Sequence, residues 1–455
     1  MKLRTRLSAC CDEKADEIIE LLRKNGYLAY YVGGCVRDAL MGKTPHDFDI
    51  ATNALPDQTA RLFRENGYAV LETGARHGTV SICFGKRVYE ITTFRTDGAY
   101  RDHRRPDSVK FVSSLEDDLS RRDFTINAMA FYKEEGLLDY FGGENDLKNR
   151  TIRCVGEPKV RFAEDALRIL RALRFSAVLD FSMESDTAAA VHTCREWIRT
   201  VSAERICAEF SGILTADGSV RILRDYIDVL GVFLPELLPS VGFPQNSPWH
   251  IYDVFTHTLT ALEHTPADLT LRLAVLLHDI GKPYVYTQDE NGTGHFKGHA
   301  VLSAELADRI LRRLKFGRRL REDVCLLVRH HDDRIPCDSA SVKRLIRSMG
   351  KENALRLVQV ERADRVAQNP VMVAERSCAV EQIGRMIHEL TRPQAACITI
   401  ADLAVGGEDL LAEGIPQGVR IGKALAMLLE EVTEERLPNE REALLRFLRE
   451  NQALL

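Results

Sequence analysis

"YYVGGCVRDALMGKTPHDFDI", residues 30–50, contains a pair of glycines, an Arg-Asp and two aspartates on either side of one phenylalanine. A β-rich run that ends in glycine predicts a strand, followed by a turn into a helix. Asp47 and Asp49 alternate with Phe48, and the period of two in a strand puts both carboxylates on one face and the ring on the other. The stretch therefore predicts a strand, a helix and a second strand that carries paired carboxylates.

Paired carboxylates in this setting indicate metal-assisted chemistry on phosphate. Two neighbouring carboxylates repel each other unless a cation lies between them, and Mg²⁺ is the usual ion where phosphate is the substrate. Such ions lower the pKa of an attacking hydroxyl and neutralise a leaving pyrophosphate. Gly33 and Gly34 let backbone N–H groups approach a triphosphate, and Arg37 adds a charged donor. We identify Asp47 and Asp49 as candidate catalytic and Mg²⁺-binding residues, although D-x-D alone is also typical of a solvated strand end.

Composition bounds the class of protein. The chain has 455 residues, of which 45% are hydrophobic and 28% charged, with a net charge of −5. This predicts a soluble globular protein of about three domains, without a membrane span or a secretion signal. Eleven cysteines without a C-x-x-C pair predict reduced thiols and a cytoplasmic location. The net charge neither supports nor excludes a nucleic-acid partner.

The predicted secondary structure changes along the chain. Up to about residue 140 strands alternate with helices, whereas the remainder has helical periodicity. The predicted fold class is therefore α+β, with a small β-sheet and flanking helices first and an all-helical remainder. The predicted domains are residues 13–140, 141–241, 248–370 and 371–455, and the Gly-, Pro- and Asn-rich stretch 242–250 is the linker candidate.

Five stretches in order resemble the nucleotidyltransferase head and neck of tRNA nucleotidyltransferases (CCA-adding enzymes) and bacterial poly(A) polymerases. Besides residues 30–50 they are "RTDGAYRDHRRPDSVKF" (95–111), "DLSRRDFTINAMA" (118–130), "LLDYFGGENDLKNRTIR" (137–153) and "RFAEDALRILRALRFSA" (161–177). In that family these correspond to a flexible loop, a ribose-discriminating motif, a head–neck hinge and a nucleotide-reading helix. The resemblance implies a catalytic head at 13–140 and a helical neck at 141–241.

Asp165 and Arg168 are the candidates for base reading. Three residues apart on a predicted helix, they share a face. An Asp accepts from an amino group and an Arg donates to ring acceptors, so together they match the edge of C or A and fit U or G poorly. The resemblance implies that this pair acts as a protein template for the incoming nucleotide.

Further nucleotide-binding candidates surround that pair. Arg171 and Arg174 continue the helix at three-residue steps and are candidates for phosphate contact, unless they form a solvated basic face. The resemblance implies that Arg122 contacts the nucleotide and that Asp123 and Asn127 sense its ribose. Glu90, in "RVYEITTFR", is either a third carboxylate near the metals or a structural strand residue.

A second constellation lies in residues 248–370. His257, His278, Asp279 and Asp364 occur in the order that resembles the HD phosphohydrolase domain, with His299, His330 and His331 as further candidate ligands. Imidazole suits Mn, Ni, Fe, Co or Zn, and a shared Asp bridges two ions. Such a site hydrolyses phosphoesters with a metal-activated water. The resemblance implies a metal-dependent phosphohydrolase, which in some CCA-adding enzymes removes 2′,3′-cyclic or 2′-phosphates from RNA.

The remaining predictions concern RNA binding and the overall function. Residues 371–455 are the predicted helical body and tail that bind RNA; within them, 398–432 resemble the tail that follows the body in many bacterial members of the family, and a plain helical bundle is the alternative. The basic runs 312–321 and 148–153 are candidates for phosphate contact, with a solvated helix face as the alternative for both. The predicted function is template-independent addition of CCA to tRNA from CTP and ATP, with no indication of an oligomeric state. The alternatives are an A-adding enzyme, a poly(A) polymerase, or an HD phosphodiesterase with a non-catalytic head. The loop at 97–107 argues against an enzyme that adds C alone.

Overall fold

The computed structural model describes residues 11–45, 47–85, 87–97, 109–392 and 397–451. The chain divides into two compact units, Met1–Pro235 and Glu236–Leu455. Most of the loop predicted at 95–111 lies outside the described residues. The finer division into four domains stays a prediction.

A seven-stranded mixed sheet forms the core of the first unit. Its spatial order is β3-β4-β5-β2-β1-β8-β9, in which β2 and β5 run parallel and the other neighbours antiparallel. A separate hairpin joins β6 to β7, and two short strands, β10 and β11, pair in parallel. The strands are β1 (Ala29–Val32), β2 (Asp49–Thr52), β3 (Ala69–Leu71), β4 (Thr79–Phe84), β5 (Arg87–Thr93), β6 (Arg95–Asp97), β7 (Val109–Phe111), β8 (Ala130–Tyr132), β9 (Gly136–Leu138), β10 (Thr151–Ile152) and β11 (Ser182–Met183).

Helices flank this sheet and make up the rest of the unit. The α+β class is thereby confirmed, with helical structure dominating after residue 139. The helices are α1 (Glu13–Lys24), α2 (Gly34–Leu40), α3 (Pro56–Glu65), α4 (Leu115–Ser120), α5 (Gly143–Lys148), α6 (Pro158–Glu164), α7 (Leu167–Leu179), α8 (Ser185–Thr193), α9 (Ala203–Leu214), α10 (Ser219–Asp225) and α11 (Ile227–Leu230). Short 3₁₀ turns lie at Ala75–His77, Thr125–Asn127, Arg195–Thr200 and Pro235–Ser240.

Local sequence explains how the sheet edge is built. Helix α1 starts at Asp12, whose carboxylate accepts hydrogen bonds from the N–H groups of Lys14 and Ala15, and buries Ile18 and Ile19 against the sheet. Strand β2 begins at Asp49, so Asp47 precedes the strand instead of lying within it. Phe48 packs toward the core as predicted and meets Tyr31 edge to face, with ring centroids 6.0 Å apart.

One helix prediction was wrong. Residues 164–179, which include Asp165 and Arg168, were expected to form one continuous helix. Instead, α6 ends at Glu164, Asp165 adopts an extended backbone (φ −142°, ψ 106°), and α7 starts at Leu167. The Asp165 carboxylate accepts from the N–H of Leu167 at 3.1 Å, which is how an aspartate competes with helical backbone bonding and begins a new helix. Asp165 therefore stands at a helix boundary, and it does not share a helix with Arg168.

The second unit is helical, apart from a small antiparallel pair, β12 (Thr287–Gln288) and β13 (Gly294–His295). Its longest helix bends at Gly350, which has φ +79°. The helices are α12 (Val254–Glu263), α13 (Leu269–Leu277), α14 (Lys282–Val285), α15 (His299–Arg313), α16 (Arg318–His330), α17 (Ser339–Val366), α18 (Pro370–Leu390), α19 (Gly407–Ala412), α20 (Val419–Thr433) and α21 (Arg441–Glu450), with a 3₁₀ turn at Ile400–Asp402. Among the helices described, none has the length and apolarity needed to cross a bilayer.

Candidate functional site

A cleft of about 720 Å³ in the first unit collects the predicted nucleotide-site residues. All thirteen that were proposed for the head and neck line it. They are Gly33, Gly34, Arg37, Asp47, Asp49, Glu90, Arg122, Asp123, Asn127, Asp165, Arg168, Arg171 and Arg174. The sequence separates these residues by up to 141 positions, and the turn after β1, the start of β2, β5 and helix α7 bring them together.

Carboxylates form one wall of the cleft. Parallel pairing of β2 with β5 sets Asp49 opposite Glu90. Asp49 is open to the solvent in the cleft but crowded by protein on its other sides, and this loss of hydration raises its pKa. The Asp47 carboxylate raises that pKa further, while the Arg122 guanidinium lowers it. A carboxyl that is hard to ionise beside a second carboxylate fits a divalent cation, because the cation removes their repulsion.

Glu90 is less closely tied to this pair. Its side chain is exposed in the same cleft. Among the described residues, the groups of three or more ligand atoms within 4.8 Å of one another all lie in the second unit. The cleft thus offers Asp47 and Asp49 as protein ligands, and a role for Glu90 stays a prediction.

Gly33 is required at the turn between β1 and α2. Its φ of +74° lies in the left-handed region that side chains avoid. A Cβ atom here would also lie 2.9 Å from Nη1 of Arg122 and 3.7 Å from Oδ2 of Asp49. The missing side chain is therefore what allows Arg122 to lie against the backbone beside the carboxylates.

Hydrogen bonds connect the predicted ribose-reading residues to two arginines. Arg37 donates to Oδ1 of Asn127 at 2.7 Å, and Asn127 donates to Oδ1 of Asp123 at 3.1 Å. Arg171 donates from Nε to Oδ2 of Asp123 at 2.8 Å. Burial alone would raise the pKa of Asp123, but Arg171 and the Asn127 hydrogen bond lower it, so the carboxyl is held ionised.

The two base-reading candidates are each held by contacts of their own. Nη2 of Arg168 donates to the carbonyl of Arg121 at 2.8 Å, and its Nη1 donates to the carbonyl of Arg161 at 3.1 Å and pairs with Glu164. Oδ2 of Asp165 accepts from Nη2 of Arg205 at 2.6 Å. The residues line one cleft despite the helix break between them.

Several cleft residues were missed by sequence reasoning. Arg95, Arg121, Arg205 and Phe175 also line the cleft. Arg37, Arg171 and Arg174 surround the Phe175 ring, with guanidinium carbons 5.2, 5.2 and 4.6 Å from its centroid. The three-residue spacing of the arginines on α7 was visible in the sequence. By contrast, Arg205 lies on α9, and no local pattern connects it with Asp165.

Asp118 supports two of these arginines from behind. It is fully buried, and its Oδ1 accepts from Nη2 of Arg121 at 2.7 Å and from the N–H of Arg95 at 3.2 Å. Its Oδ2 accepts from Arg122 at 3.4 Å. A buried carboxylate that receives two guanidinium groups keeps them fixed at the cleft wall.

A cluster of histidines and aspartates forms the second site, within the second unit. One group of ligand atoms comes from His257, His278, Asp279 and Asp364, and another from Asp279, His299 and His331. Within each group all atoms lie within 4.8 Å of one another, and all six residues are buried. Asp279 belongs to both groups, which is the arrangement expected of a bridging carboxylate.

The histidine ring orientations fit metal binding. Nδ1 of each ligand histidine hydrogen-bonds a backbone carbonyl: His257 with Ala367 at 3.1 Å, His278 with Val275 at 2.6 Å, His299 with Phe296 at 2.9 Å and His331 with Val328 at 2.7 Å. This leaves Nε2 directed to the cluster, with the tautomer set as in metal sites. Nε2 of His278 and both carboxylate oxygens of Asp279 are buried and lack a hydrogen bond of regular geometry among the described residues.

Charge in the cluster is high for a buried site. Burial opposes the protonation of His278, but Asp279 and Asp364 raise its pKa to about 10. The pKa of Asp279 and of Asp364 lies well below the ordinary value, against the effect of burial, because cationic neighbours surround each carboxylate. The ammonium of Lys282 lies 2.6 Å from Oδ2 of Asp279. Divalent cations would take over the balancing of these carboxylates.

The structure separates the two neighbouring histidines at 330 and 331. His331 joins the cluster, whereas Nδ1 of His330 contacts Asp333 at 2.7 Å, and its side chain is 36% exposed. His330 ends helix α16, so successive side chains point in different directions. His330 is thus the one proposed HD ligand that the fold does not bring to the cluster.

A cleft of about 550 Å³ opens onto this cluster. Its lining includes the missed residues His250 and Lys282, and also Arg329, Arg334 and Arg376. Burial lowers the pKa of His250 to about 3, so its imidazole is neutral near pH 7. Cationic side chains around a metal cluster are suited to an anionic substrate such as a phosphoester.

The basic run at 312–321 is largely paired with acidic residues. Arg312 and Arg321 both contact Asp308, Arg313 contacts Glu236 and Arg318 contacts Glu322. In the run 148–153, Lys148 pairs with Glu144, Arg150 with Asp180 and Arg153 with Asp146. These pairings favour the solvated-face interpretation over dedicated phosphate binding.

Three protein-family models match the chain. Residues 29–153 match the poly(A) polymerase head domain, residues 180–239 the probable RNA- and SrmB-binding site of polymerase A, and residues 250–369 the HD domain. The first match contains the carboxylate pair and the ribose-reading candidates. The third contains both groups of the His/Asp cluster.

The curated relatives that match the chain include proteins described as CCA-adding enzymes. A CCA-adding enzyme of Streptococcus suis is 47% identical over 226 residues, which are 50% of this chain and 55% of that protein. The CCA-adding enzyme of Bacillus subtilis is 41% identical over 266 residues, 58% of this chain and 65% of the relative. The alignments thus span between half and two thirds of these relatives' own length.

Structural similarity extends over nearly the whole chain. The CCA-adding enzyme of Bacillus stearothermophilus in complex with CTP superimposes with a TM-score of 0.70 at 29% identity, covering 97% of this chain and 98% of that one. A Thermotoga maritima CCA-adding enzyme complexed with tRNA has a TM-score of 0.59 at 20% identity, with 99% and 98% covered, and supports the fold alone.

Proposed function

We propose that this chain, whose residues 29–153 match the poly(A) polymerase head domain, adds C, C and A to the 3′ end of tRNA from CTP and ATP. The observation that carries the proposal is the single cleft in which paired carboxylates, the Gly33 turn, a ribose-reading pair and a base-reading pair all meet. The relatives described as CCA-adding enzymes support the same assignment.

The proposed reaction is attack of the RNA 3′-hydroxyl on the α-phosphate of CTP or ATP. A new P–O bond forms, the bond between the α-phosphate and the bridging oxygen breaks, and pyrophosphate leaves. Asp47 and Asp49 would hold Mg²⁺, which when bound makes the hydroxyl more acidic and neutralises the pyrophosphate. Arg122, fixed by Asp118 and packed on Gly33, faces the same point with a positive charge.

Base selection is assigned to Asp165 and Arg168. The Asp165 carboxylate accepts from the amino group that C and A share, and the Arg168 guanidinium donates to their ring acceptors. U and G present a carbonyl oxygen where C and A present the amino group, so they place an acceptor against an acceptor. Asp123 and Asn127 lie next to Arg37 and Arg171, where they can sense the ribose.

The alternatives within the same chemistry are A addition alone and poly(A) tailing. An A-adding enzyme would use tRNA that already ends in CC, and a poly(A) polymerase would use ATP with general RNA. The Asp165 and Arg168 pair suits both C and A, which favours the full CCA reaction over these two. We assign the protein to the cytoplasm, consistent with free thiols at every described cysteine.

A second activity is favoured by the buried His/Asp cluster. We assign phosphohydrolase activity on phosphoesters to the second unit. His257, His278, Asp279, Asp364, His299 and His331 would hold one or two divalent ions of Mn, Ni, Fe, Co or Zn, which supply a nucleophilic water when bound. Lys282 and the arginines around the cleft orient the phosphate.

The test is incorporation of labelled CTP and ATP into tRNA lacking CCA, tRNA ending in CC and an unrelated oligoribonucleotide. Addition to the first two with both nucleotides is the expected outcome. A alone, on the CC-ended tRNA, would identify an A-adding enzyme, and ATP-dependent tailing of all three a poly(A) polymerase. Phosphodiesterase activity without incorporation would leave the HD site as the working centre.

A further inference from the structure

Asp165, the proposed acceptor for the base amino group, stands outside any helix. Because α6 has ended and α7 has not begun, backbone hydrogen bonding of a regular helix does not fix its position. Within its own segment, the carboxylate is anchored by the N–H of Leu167, which donates to Oδ1. An acceptor that must discriminate between bases needs a second point of support, since one hydrogen bond leaves the carboxylate free to rotate about it.

Arg205 supplies that second support from a different helix. It lies on α9, which packs along α7 so closely that a Cβ at Gly212 would lie 2.7 Å from Cδ of Arg174. Nη2 of Arg205 donates to Oδ2 of Asp165 at 2.6 Å. The side chains of Arg205 and Asp165 are 31% and 19% exposed, and both line the nucleotide cleft.

We infer that Arg205 is a positioning residue that sets nucleotide selectivity by fixing the Asp165 carboxylate. The inference rests on the proposed function and assigns to it a specificity determinant forty positions from the residue it acts on. With Leu167 on one oxygen and Arg205 on the other, each oxygen keeps one lone pair for the base. The carboxylate is thus presented as a pure acceptor in one orientation.

The chemistry of the bases gives the direction of the effect. A fixed carboxylate accepts from the amino group of C or A and repels the carbonyl oxygen of U or G. If the carboxylate rotates away, the penalty against U and G falls while much of the binding of C and A persists. A well-placed pair of base contacts discriminates by about 10- to 100-fold, and loss of Arg205 is expected to remove a factor of this size.

The same helix carries a contrasting residue one turn later. Glu209 is buried, and its Oε2 accepts from Nε of Arg174 at 2.5 Å, while its Oε1 lies 3.8 Å from Arg171. Both arginines are candidates for contact with phosphate, which CTP, ATP, UTP and GTP share. Glu209 therefore supports two arginines that are expected to contact every nucleotide in the same way. Arg205 instead supports Asp165, whose contact is expected to differ between bases.

The experiment compares Arg205→Ala, Arg205→Lys, Glu209→Gln and Arg199→Ala with the wild-type chain on tRNA lacking CCA. Arg199 is exposed and pairs with Glu196, so its variant controls for removal of an arginine. The readout is kcat/KM for CTP relative to UTP and for ATP relative to GTP, with thermal melting to confirm folding. If Arg205→Ala does not fold, Arg205→Lys and Arg205→Gln carry the test.

Arg205→Ala is expected to lower the selectivity ratios about 10- to 100-fold, Arg205→Lys to restore part of the loss, and Glu209→Gln to raise KM for all nucleotides without changing the ratios. Unchanged ratios in a folded Arg205→Ala protein would overturn the inference, as would an equal loss of selectivity in Glu209→Gln. Wild-type protein that incorporates neither C nor A would instead overturn the proposed function.

Discussion

The two sites of this chain handle charge in opposite ways. In the cleft of the first unit, arginines are already paired with carboxylates, and the proposed metal-binding pair Asp47 and Asp49 is open to solvent. In the second unit the acidic and imidazole ligands are buried together, and their charges are balanced by one another and by Lys282. The first site leaves room for a cation to arrive with a polyanionic substrate, whereas we propose that the second is a cage for ions held by the protein itself.

The two sites should therefore differ in how much their folding stability depends on bound metal. Two protein carboxylates give Mg²⁺ few ligands, so triphosphate oxygens and water must complete its shell. The cage offers six protein ligands around two positions, with backbone carbonyls fixing the rings. The first site should therefore fold alike with and without its ion, and the second should change its stability.

The largest expected effect separates the two chemistries. Asp49→Asn should lower CTP and ATP incorporation about 1,000-fold, because loss of a metal ligand removes several kcal/mol of transition-state stabilisation. Asp279→Asn should leave incorporation within about 2-fold and abolish hydrolysis of bis(p-nitrophenyl) phosphate by Mn²⁺-loaded protein. Both activities would be measured on both variants. Loss of both activities in either variant would contradict the division into two sites.

Substitution of Gly33, compared with substitution of Gly42, tests whether Arg122 needs the close approach to the backbone in the first cleft. Gly33→Ala should reduce kcat/KM for CTP by about 10- to 100-fold, since it adds about 1–3 kcal/mol of backbone strain and displaces Arg122. Gly42→Ala is the matched control, because Gly42 has φ +75° at the other end of α2 but has no atom within 4 Å of the added Cβ. Steady-state kinetics and melting of both variants provide the test. Equal kinetic losses would assign the effect to strain alone.

Substitutions of the neighbouring residues His330 and His331 test which histidines bind metal in the second unit. His331→Ala should weaken binding of a divalent ion to the group formed by Asp279, His299 and His331 by at least about 100-fold, which lowers the measured metal content per chain. His330→Ala should leave metal content unchanged, because His330 contacts Asp333 outside the cluster. Calorimetric titration with Mn²⁺ distinguishes them. Equal losses in both variants would show that the cluster has been drawn from the wrong residues.

The smallest expected effect is a pH dependence that belongs to the second unit. Asp279 and Asp364 raise the pKa of His278 to about 10 in the metal-free chain. The protonated imidazole therefore stabilises the folded chain fully below about pH 6.5, and this stabilisation is lost as the pH rises through 10. Metal binding needs the neutral imidazole, so it gains as protons are released. The Tm difference between Mn²⁺-loaded and EDTA-treated protein should therefore widen by about 5 °C from pH 7 to pH 9. A difference that narrows over this range would contradict the assignment.

Sequence patterns predicted correctly which residues lie together in the first cleft. They were less successful in predicting the backbone conformation at Asp165. The α+β class is confirmed, and all thirteen head and neck candidates line one cleft. The helix break at Asp165 was missed, since the apolar periodicity continues across it and the competing side-chain bond to Leu167 leaves no trace in that pattern.

Supports from distant elements lay beyond sequence reasoning. Arg205 and Glu209 act across helices, and their spacing from the residues they hold follows no period. Asp118 precedes Arg121 and Arg122 by three and four positions, a helical spacing that the sequence contains, but its burial behind the cleft wall required the fold. In the second unit, successive side chains at the end of helix α16 are rotated by about 100°, so His330 and His331 point in different directions. Which of the two faces the cluster depended on where α16 ended. Ion pairing of the basic run 312–321 likewise required the fold.

Base selection by Asp165 and Arg168 is tested by sequencing the nucleotides that wild-type protein adds to tRNA lacking CCA, with all four nucleoside triphosphates and Mg²⁺ present. We expect C, C and A in that order, with addition ending there and U and G nearly absent. A tail of A residues, addition of A only, or incorporation of all four bases would contradict it, because each would mean that Asp165 and Arg168 do not read the base as their geometry implies.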